Sequence, residues 1–329
     1  MLKPLRHLLC SAALVAVVLS AASAAGARTP AVIVTDAGTD IDDSWAIALA
    51  IRSPELDLKL VLTDAGDTTY RAKVVARLLE AAGRSNVAIG VGEDVASKGE
   101  TLETLAPWVA GYDLGKYPGK VRRDGIAALA ELVAASDGPV TVIAIGPVPS
   151  LALAVKRFPA LAPKCRFVGM YGSFDVGYGG GAPSPETNVR VDPAGFRTVL
   201  GAGWRDILLT PLDTCGSVGL AGERYHAIWS ATGDPLLREL IESYCIFAPR
   251  QTWMTCDYFA TRSTTLFDCV AVYLAYSEDL VEVETLTFDV DDAGFTRKSA
   301  HGAFKARVAM RWRNRDGFEA ELAGRLLAP

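Results

Sequence analysis

Between residues 36 and 43 the chain reads Asp-Ala-Gly-Thr-Asp-Ile-Asp-Asp, which puts four carboxylates into eight positions. Like charges packed that closely disfavour one another's ionised form unless a cation or bound protons offset them. Helix capping accounts for Asp42 and Asp43, because the positive end of a helix dipole favours acidic residues in its first turn, but it does not account for Asp36. A run of this composition reads as a metal loop. Oxygen-only ligands select a hard ion, and calcium tolerates the irregular, high coordination that a loop plus distant carboxylates supply. The spacing excludes an EF-hand: counted from Asp36, Asp42 takes the backbone-ligand position and Ile47 the position that requires a bidentate Glu. A phosphatase-type loop needs Asp-x-Asp directly after its strand, and Gly38 stands where the second Asp belongs. A metal-dependent phosphatase is therefore an alternative with less behind it.

Other chemistries lack residues. Of three histidines, only His226 and His301 lie beyond the N-terminal leader described below, and neither neighbours a plausible zinc ligand or completes a Ser/His/Asp triad. Five cysteines follow the leader, at 165, 215, 245, 256 and 269. The odd count leaves at least one thiol unpaired. Buried apolar packing is the preferred reading, and a Cys245–Cys256 bridge stays open as the pairing nearest in sequence.

The carboxylates need a scaffold, and the chain alternates short β-branched runs with amphipathic helical patterns. Strands are expected at 31–35, 58–63, 87–91, 140–145, 166–170 and 206–209, with a β-rich stretch at 281–290. Helices are expected at 42–53, 68–82, 124–135, 150–158, 237–244 and 269–276. This rhythm predicts a single large α/β domain, with a mainly parallel central sheet and helices on both faces. Two strands end in the same words, Thr35-Asp36-Ala37-Gly38 and Thr63-Asp64-Ala65-Gly66. Ligands in open α/β sheets bind beyond the carboxyl ends of the strands, so both turns are expected to face one crevice.

Lys3 and Arg6 precede an apolar stretch from Leu8 to Leu19 that ends in small residues, the pattern of a secretory signal peptide. Residues 1–27 are assigned to it and 28–329 to the α/β domain, which predicts an exported protein, periplasmic or extracellular. Without Lys3 and Arg6 the formal net charge of −5 becomes −7. That balance disfavours nucleic acid or an anionic membrane as partner and suits a small neutral substrate. Whether the chain forms a homo-oligomer is left open.

Taken together, these residues resemble the inosine/uridine-preferring nucleoside hydrolase family, whose signature is a strand ending in Asp-x-Asp, a Gly turn, and an Asp-Asp pair opening a helix. The form here is similar to the longer-loop members: Asp36 matches the second Asp, Asp42-Asp43 match the pair, and Val34 replaces the first Asp. Gly146-Pro147-Val148-Pro149-Ser150-Leu151-Ala152 is similar to the family's Gly-Pro-Leu-Thr-Asn-Leu-Ala turn, whose Thr gives calcium a backbone carbonyl, a role the resemblance assigns to Pro149. Glu186-Thr187-Asn188 resembles the ribose-recognition stretch, with Gly180 where the family has a further Asn. Phe267-Asp268-Cys269 resembles His-Asp-Pro, in which the Asp ligates metal and contacts ribose. Asp67 falls where many members carry Asn.

The resemblance implies a nucleoside hydrolase-like fold with a Rossmann-like core, and an enzyme that hydrolyses the N-glycosidic bond of ribonucleosides to ribose and a free base. It implies Ca2+ held by Asp36, Asp43, Asp268 and the Pro149 carbonyl with Asp42 in support, and Asp36 as general base. It further implies that Asp67, Glu186, Asn188 and Asp268 bind the substrate. Trp253, Tyr258 and Phe259 are read as core aromatics, with base stacking as the alternative. Val34, Gly180 and Phe267 keep open a non-catalytic nucleoside- or sugar-binding relative.

Overall fold

The computed structural model describes residues 28–94 and 102–328. The leader expected at 1–27 lies outside these residues. Ten strands form one sheet: β1 (Thr29–Thr35), β2 (Leu56–Thr63), β3 (Ala88–Val91), β4 (Val121–Arg122), β5 (Val140–Ala144), β6 (Cys165–Met170), β7 (Asp206–Thr210), β8 (Val281–Val290), β9 (Thr296–Lys298) and β10 (Phe304–Trp312). Their order across the sheet is β4-β3-β2-β1-β5-β6-β7-β10-β8-β9. All pairings from β4 to β10 are parallel, while β8 runs against β10 and β9 against β8.

Central strands of such a sheet are buried on both faces, which is why they read as continuous apolar runs. In β1, Ala31 and Ile33 pack into one core and Val32 and Val34 into the other. The first core gathers Trp45, Tyr225, Tyr244 and Phe318, and the second Phe167, Tyr171, Phe196 and Phe288. Ile33 sits in register with Val61 of β2 on one side and Ile143 of β5 on the other.

From β1 the chain first winds outward through β2, β3 and β4, then returns to place β5 on the opposite side. Chain direction across the sheet thus reverses between β1 and β5. The connecting loops diverge there and leave a crevice at the carboxyl ends of the strands, where doubly wound sheets bind their ligands.

The expected strands and helices through residue 276 recur with ends shifted by a few residues. The stretch from 296 to 328 carried no expected element, yet it supplies β9, β10 and the Arg315–Leu327 helix. Alternation along β10 is masked because the strand is covered on both faces: Val308 and Met310 pack into the second core and Ala309 into the first. The five described cysteines are free thiols, Cys165, Cys215 and Cys269 buried and Cys256 exposed.

Candidate active site

The acidic loop leaves β1 at the reversal point. Thr35 donates its hydroxyl to Asp43 and accepts the Ala37 N–H at 3.1 Å, so the strand end holds the first turn of the Asp42–Arg52 helix. Gly38 has φ +100°, and a Cβ there would lie 2.5 Å from the Tyr70 hydroxyl oxygen, so only glycine fits. Tyr70 Oη donates to the Gly38 carbonyl at 3.0 Å, and Thr104 Oγ1 donates to the same oxygen at 2.8 Å. Beneath the loop lies Arg71, 1 % exposed, donating to the carbonyls of Asp36, Ala37 and Ala65.

Above that floor, Asp42, Asp43 and Asp268 each offer a carboxylate oxygen within 4.8 Å of the other two, and all three are buried. Asp268 arrives in the first turn of the Phe267–Leu274 helix, whose N-terminus faces that of the Asp42–Arg52 helix. Asp36 completes the floor; a Cβ on Gly146 would lie 2.4 Å from its Oδ1, so the β5 turn must carry glycine to let that carboxylate in. Burial drives all four carboxyl pKa values up, those of Asp42, Asp43 and Asp268 well above the usual range, and at these three the repulsion of neighbouring carboxylates adds to it. Arg71 partly opposes the rise at Asp36. Such a set favours either protons or a hard cation.

These carboxylates line a cavity of about 380 Å³, together with Asp40, Thr39, Ile145, Glu186 and Asn188. Glu186 is 1 % exposed and accepts N–H bonds from Gly172 at 3.2 Å, Asn188 at 2.7 Å and Val189 at 3.2 Å. A carboxylate has about four acceptor positions, so one remains for a ligand hydroxyl. Burial, opposed by these bonds, raises its pKa to about 7. Asn188 Nδ2 donates to the carbonyls of Met170 at 3.1 Å and Ile145 at 3.4 Å, leaving Oδ1 as a free acceptor. The lining also includes Tyr178, Phe247 and Phe267, with Leu102 and Gln251.

The structure thus brings Asp36, Asp42, Asp43, Asp268, Glu186 and Asn188 to one cavity. It does not bring Pro149 or Asp67 there. Pro149 opens the Pro149–Arg157 helix, and a carbonyl in that turn points along the axis toward the N–H four residues on. The residue of this turn that reaches the cavity is Ile145, four positions earlier. Asp67 is exposed and caps the Thr68–Ala81 helix by accepting the Tyr70 N–H at 2.8 Å. The second acidic turn also departs from expectation: Asp64 is fully buried and accepts from Ser150 at 2.8 Å and Leu151 at 3.1 Å, fastening the Pro149–Arg157 helix.

Among the aromatics, Phe259 packs against the first core, while Trp253 is 57 % exposed against Tyr258, and none of the three lines the cavity. Sequence reasoning missed Ile145, Tyr178, Phe247 and Gln251. Only Ile145 had a signal, as the residue between β5 and the glycine of its turn.

A parallel sheet with a carboxylate-floored crevice at its reversal point defines an α/β enzyme of the metal-site class. The model of the inosine-uridine preferring nucleoside hydrolases matches residues 31–319, and the chain belongs to that family. A probable uridine nucleosidase 2 of Arabidopsis thaliana is 28 % identical over 273 residues, 80 % of this chain and 84 % of that protein. The non-specific ribonucleoside hydrolase RihC of Escherichia coli is 31 % identical over 227 residues, 62 % of this chain and 72 % of its own length. Among solved structures, a plant nucleoside hydrolase, PpNRh1, superposes with a TM-score of 0.74 over 92 % of this chain and 100 % of that one; at 24 % identity this speaks for the fold.

Proposed function

We propose that this nucleoside hydrolase is calcium-dependent, cleaves the N-glycosidic bond of ribonucleosides to ribose and free base, and is exported through its 1–27 leader to the periplasm or the extracellular space. The observation that carries the reading is the meeting of Asp42, Asp43 and Asp268 within 4.8 Å on the floor of a nucleoside-sized cavity, with Asp36 beside them. Buried carboxylate oxygens form a donor set for a hard ion rather than for zinc. The residues that would hold it are Asp36, Asp43 and Asp268, with Asp42 in support. A calcium ion held there would supply Lewis-acid polarisation, which would make the attacking water easier to deprotonate.

Asp36 accepts the proton of the attacking water as general base, with Arg71 fixing the backbone from which it projects. Glu186, through its remaining acceptor position, and Asn188, through Oδ1, take sugar hydroxyl protons and orient the ring. Asp268 bridges the metal side and the sugar side. The anomeric carbon passes through an oxocarbenium-like state, whose positive charge the surrounding carboxylates stabilise. A phosphate ester finds no Lys, Arg or His among the described lining residues, which favours the glycosidic reading over the phosphatase one.

Reducing-sugar release from inosine and uridine tests the reading, with Asp36→Ala as control. Ribose released by the parent and lost in the variant supports hydrolysis. Binding of either nucleoside without release of ribose sinks it.

A further inference from the structure

The sugar side of the site is tied to the far edge of the sheet. β9 is the outermost strand, three residues long; Arg297 and Lys298 are exposed, while Thr296 is 3 % exposed. A buried hydroxyl is costly unless it is hydrogen-bonded. Thr296 Oγ1 is bonded twice to one residue 123 positions away: it accepts the Ser173 N–H at 2.9 Å and donates to the Ser173 carbonyl at 3.0 Å. The residue before Ser173 is just as close. A Cβ on Gly172, which has φ +92°, would lie 2.9 Å from Thr296 Oγ1, so the two segments meet only because that position is glycine.

Ser173 and Gly172 lead directly to the Glu186 carboxylate, whose Oε2 accepts the Gly172 N–H at 3.2 Å. Its other two N–H donors, Asn188 and Val189, belong to the helix that Glu186 itself caps. Among its hydrogen bonds, the one from Gly172 therefore ties the carboxylate to another part of the chain. The 172–176 turn is held on the β7 side by the Leu212 N–H, 2.9 Å from the Gly172 carbonyl, and by Asp213, which accepts from Phe174, Asp175 and Val176. On the β8–β9 side, Phe174 packs edge to face on Phe288, a contact that does not fix the direction of a peptide group. The Lys298–Asp175 pair is exposed at both ends and so worth little. Thr296 is the group on that side that orients the main chain.

We infer that Thr296 is a positioning residue for the hydrolysis: acting through Ser173 and Gly172, it sets where the Glu186 carboxylate meets the sugar. This rests on the hydrolase reading above. Thr296 is not among the residues that line the cavity, so its influence on the sugar passes through Glu186. Its hydroxyl spends one donor and one acceptor on Ser173, a pair that serine reproduces and valine, of the same shape, does not. Without that pair the Ser173 peptide turns freely, and the Gly172 N–H no longer holds Glu186 in one place. A sugar hydroxyl then meets a carboxylate out of line, a loss felt in the transition state. The metal carboxylates come from the β1 exit and the Phe267–Leu274 helix, so calcium affinity is untouched.

The test measures kcat/KM for inosine, calcium affinity and Tm in the calcium-loaded full chain carrying Thr296→Val or Thr296→Ser, each with and without Glu186→Gln. Thr296→Val is expected to lower kcat/KM by about tenfold and Thr296→Ser to keep it within about threefold of the parent, with calcium affinity unchanged in both. In the Glu186→Gln background, Thr296→Val is expected to cost less than about twofold, because the carboxylate it positions is already gone. A purely structural role lowers Tm and costs the same activity in both backgrounds, and that result overturns the inference while the hydrolase reading stands. So does a kcat/KM that Thr296→Val leaves unchanged, or that the serine and valine variants lower equally. If the valine variant does not fold, Thr296→Cys against Thr296→Ser gives the same decision, since both lack the methyl and only serine keeps the hydroxyl. A parent that releases no ribose from inosine or uridine overturns the hydrolase reading, and this inference with it.

Discussion

The backbone N–H of Asp268 donates to Oδ2 of Asp42 at 3.4 Å, although 226 positions separate them in the chain. Both residues occupy the first turn of a helix, and the two helix N-termini face each other across the cavity floor. Two positive dipole ends soften the repulsion between the carboxylates they carry, by about 0.3–1 kcal/mol each at ordinary exposures. That is small beside the cost of burying several ionised acids together, which a cation or protons must offset.

This imbalance makes metal-free stability depend on pH. Asp36, Asp42, Asp43 and Asp268 have folded pKa values raised above the unfolded 3.8. Their contribution to stability is fully present below the unfolded value and is lost as pH rises through the raised folded ones. Asp64 and Glu186, both raised to about 7, act in the same direction between roughly pH 4 and 7. Calorimetry of chelated protein should show a lower Tm at pH 8 than at pH 5, and excess calcium should raise Tm more at pH 8. A metal-free Tm that climbs from pH 5 to 8 contradicts this.

Arg71→Met should be costly in a different way. It leaves the Asp36, Ala37 and Ala65 carbonyls without their donor and removes the positive charge below the acidic floor. A loss of about 3–5 kcal/mol in urea unfolding is expected, as for one partner removed from a buried charged network. A cost under about 1 kcal/mol would mean that water replaces the guanidinium freely.

Asp67→Ala separates a helix cap from a substrate contact. Its loss should cost about 1 kcal/mol of stability, the usual worth of an N-cap, with nucleoside KM unchanged. A KM raised about tenfold at unaltered stability would return Asp67 to the site.

Glu186→Gln should weaken sugar positioning and disturb the Thr187–Val191 helix, because the carboxylate accepts two N–H groups there and a third from Gly172. Asn188→Ala is the cleaner probe. It should lower kcat/KM for inosine by about tenfold or more, the scale of one positioning hydrogen bond, with little change in calcium affinity. Equal losses in calcium affinity and kcat/KM would place Asn188 on the metal side.

The layout of the site was legible because its strongest signals are local. An apolar strand ending in Asp36, followed by Asp42-Asp43 at a helix start, names the metal loop from a single segment. Asp268, Glu186 and Asn188 became legible only through family resemblance, since nothing within their own segments tells a helix cap from a ligand. Identical wording misled at Asp64, where a helix N-terminus from the β5 turn captures the carboxylate. Pro149 carried a motif position, but it opens the Pro149–Arg157 helix, and the residue of this turn that lines the cavity is Ile145. Tyr178, held by Thr187 and lining the cavity, depends wholly on tertiary packing. β10 shows the same limit in the fold, because a strand inserted between β7 and β8 and covered on both faces loses the polar–apolar alternation of an edge.

The most direct test measures bound calcium in the purified chain, together with ribose release from inosine, before chelation, after it, and after calcium is returned. About one calcium per chain is expected, with turnover abolished on its removal and restored on its return. A chain that is metal-free at neutral pH and cleaves inosine equally well in chelator would contradict the account.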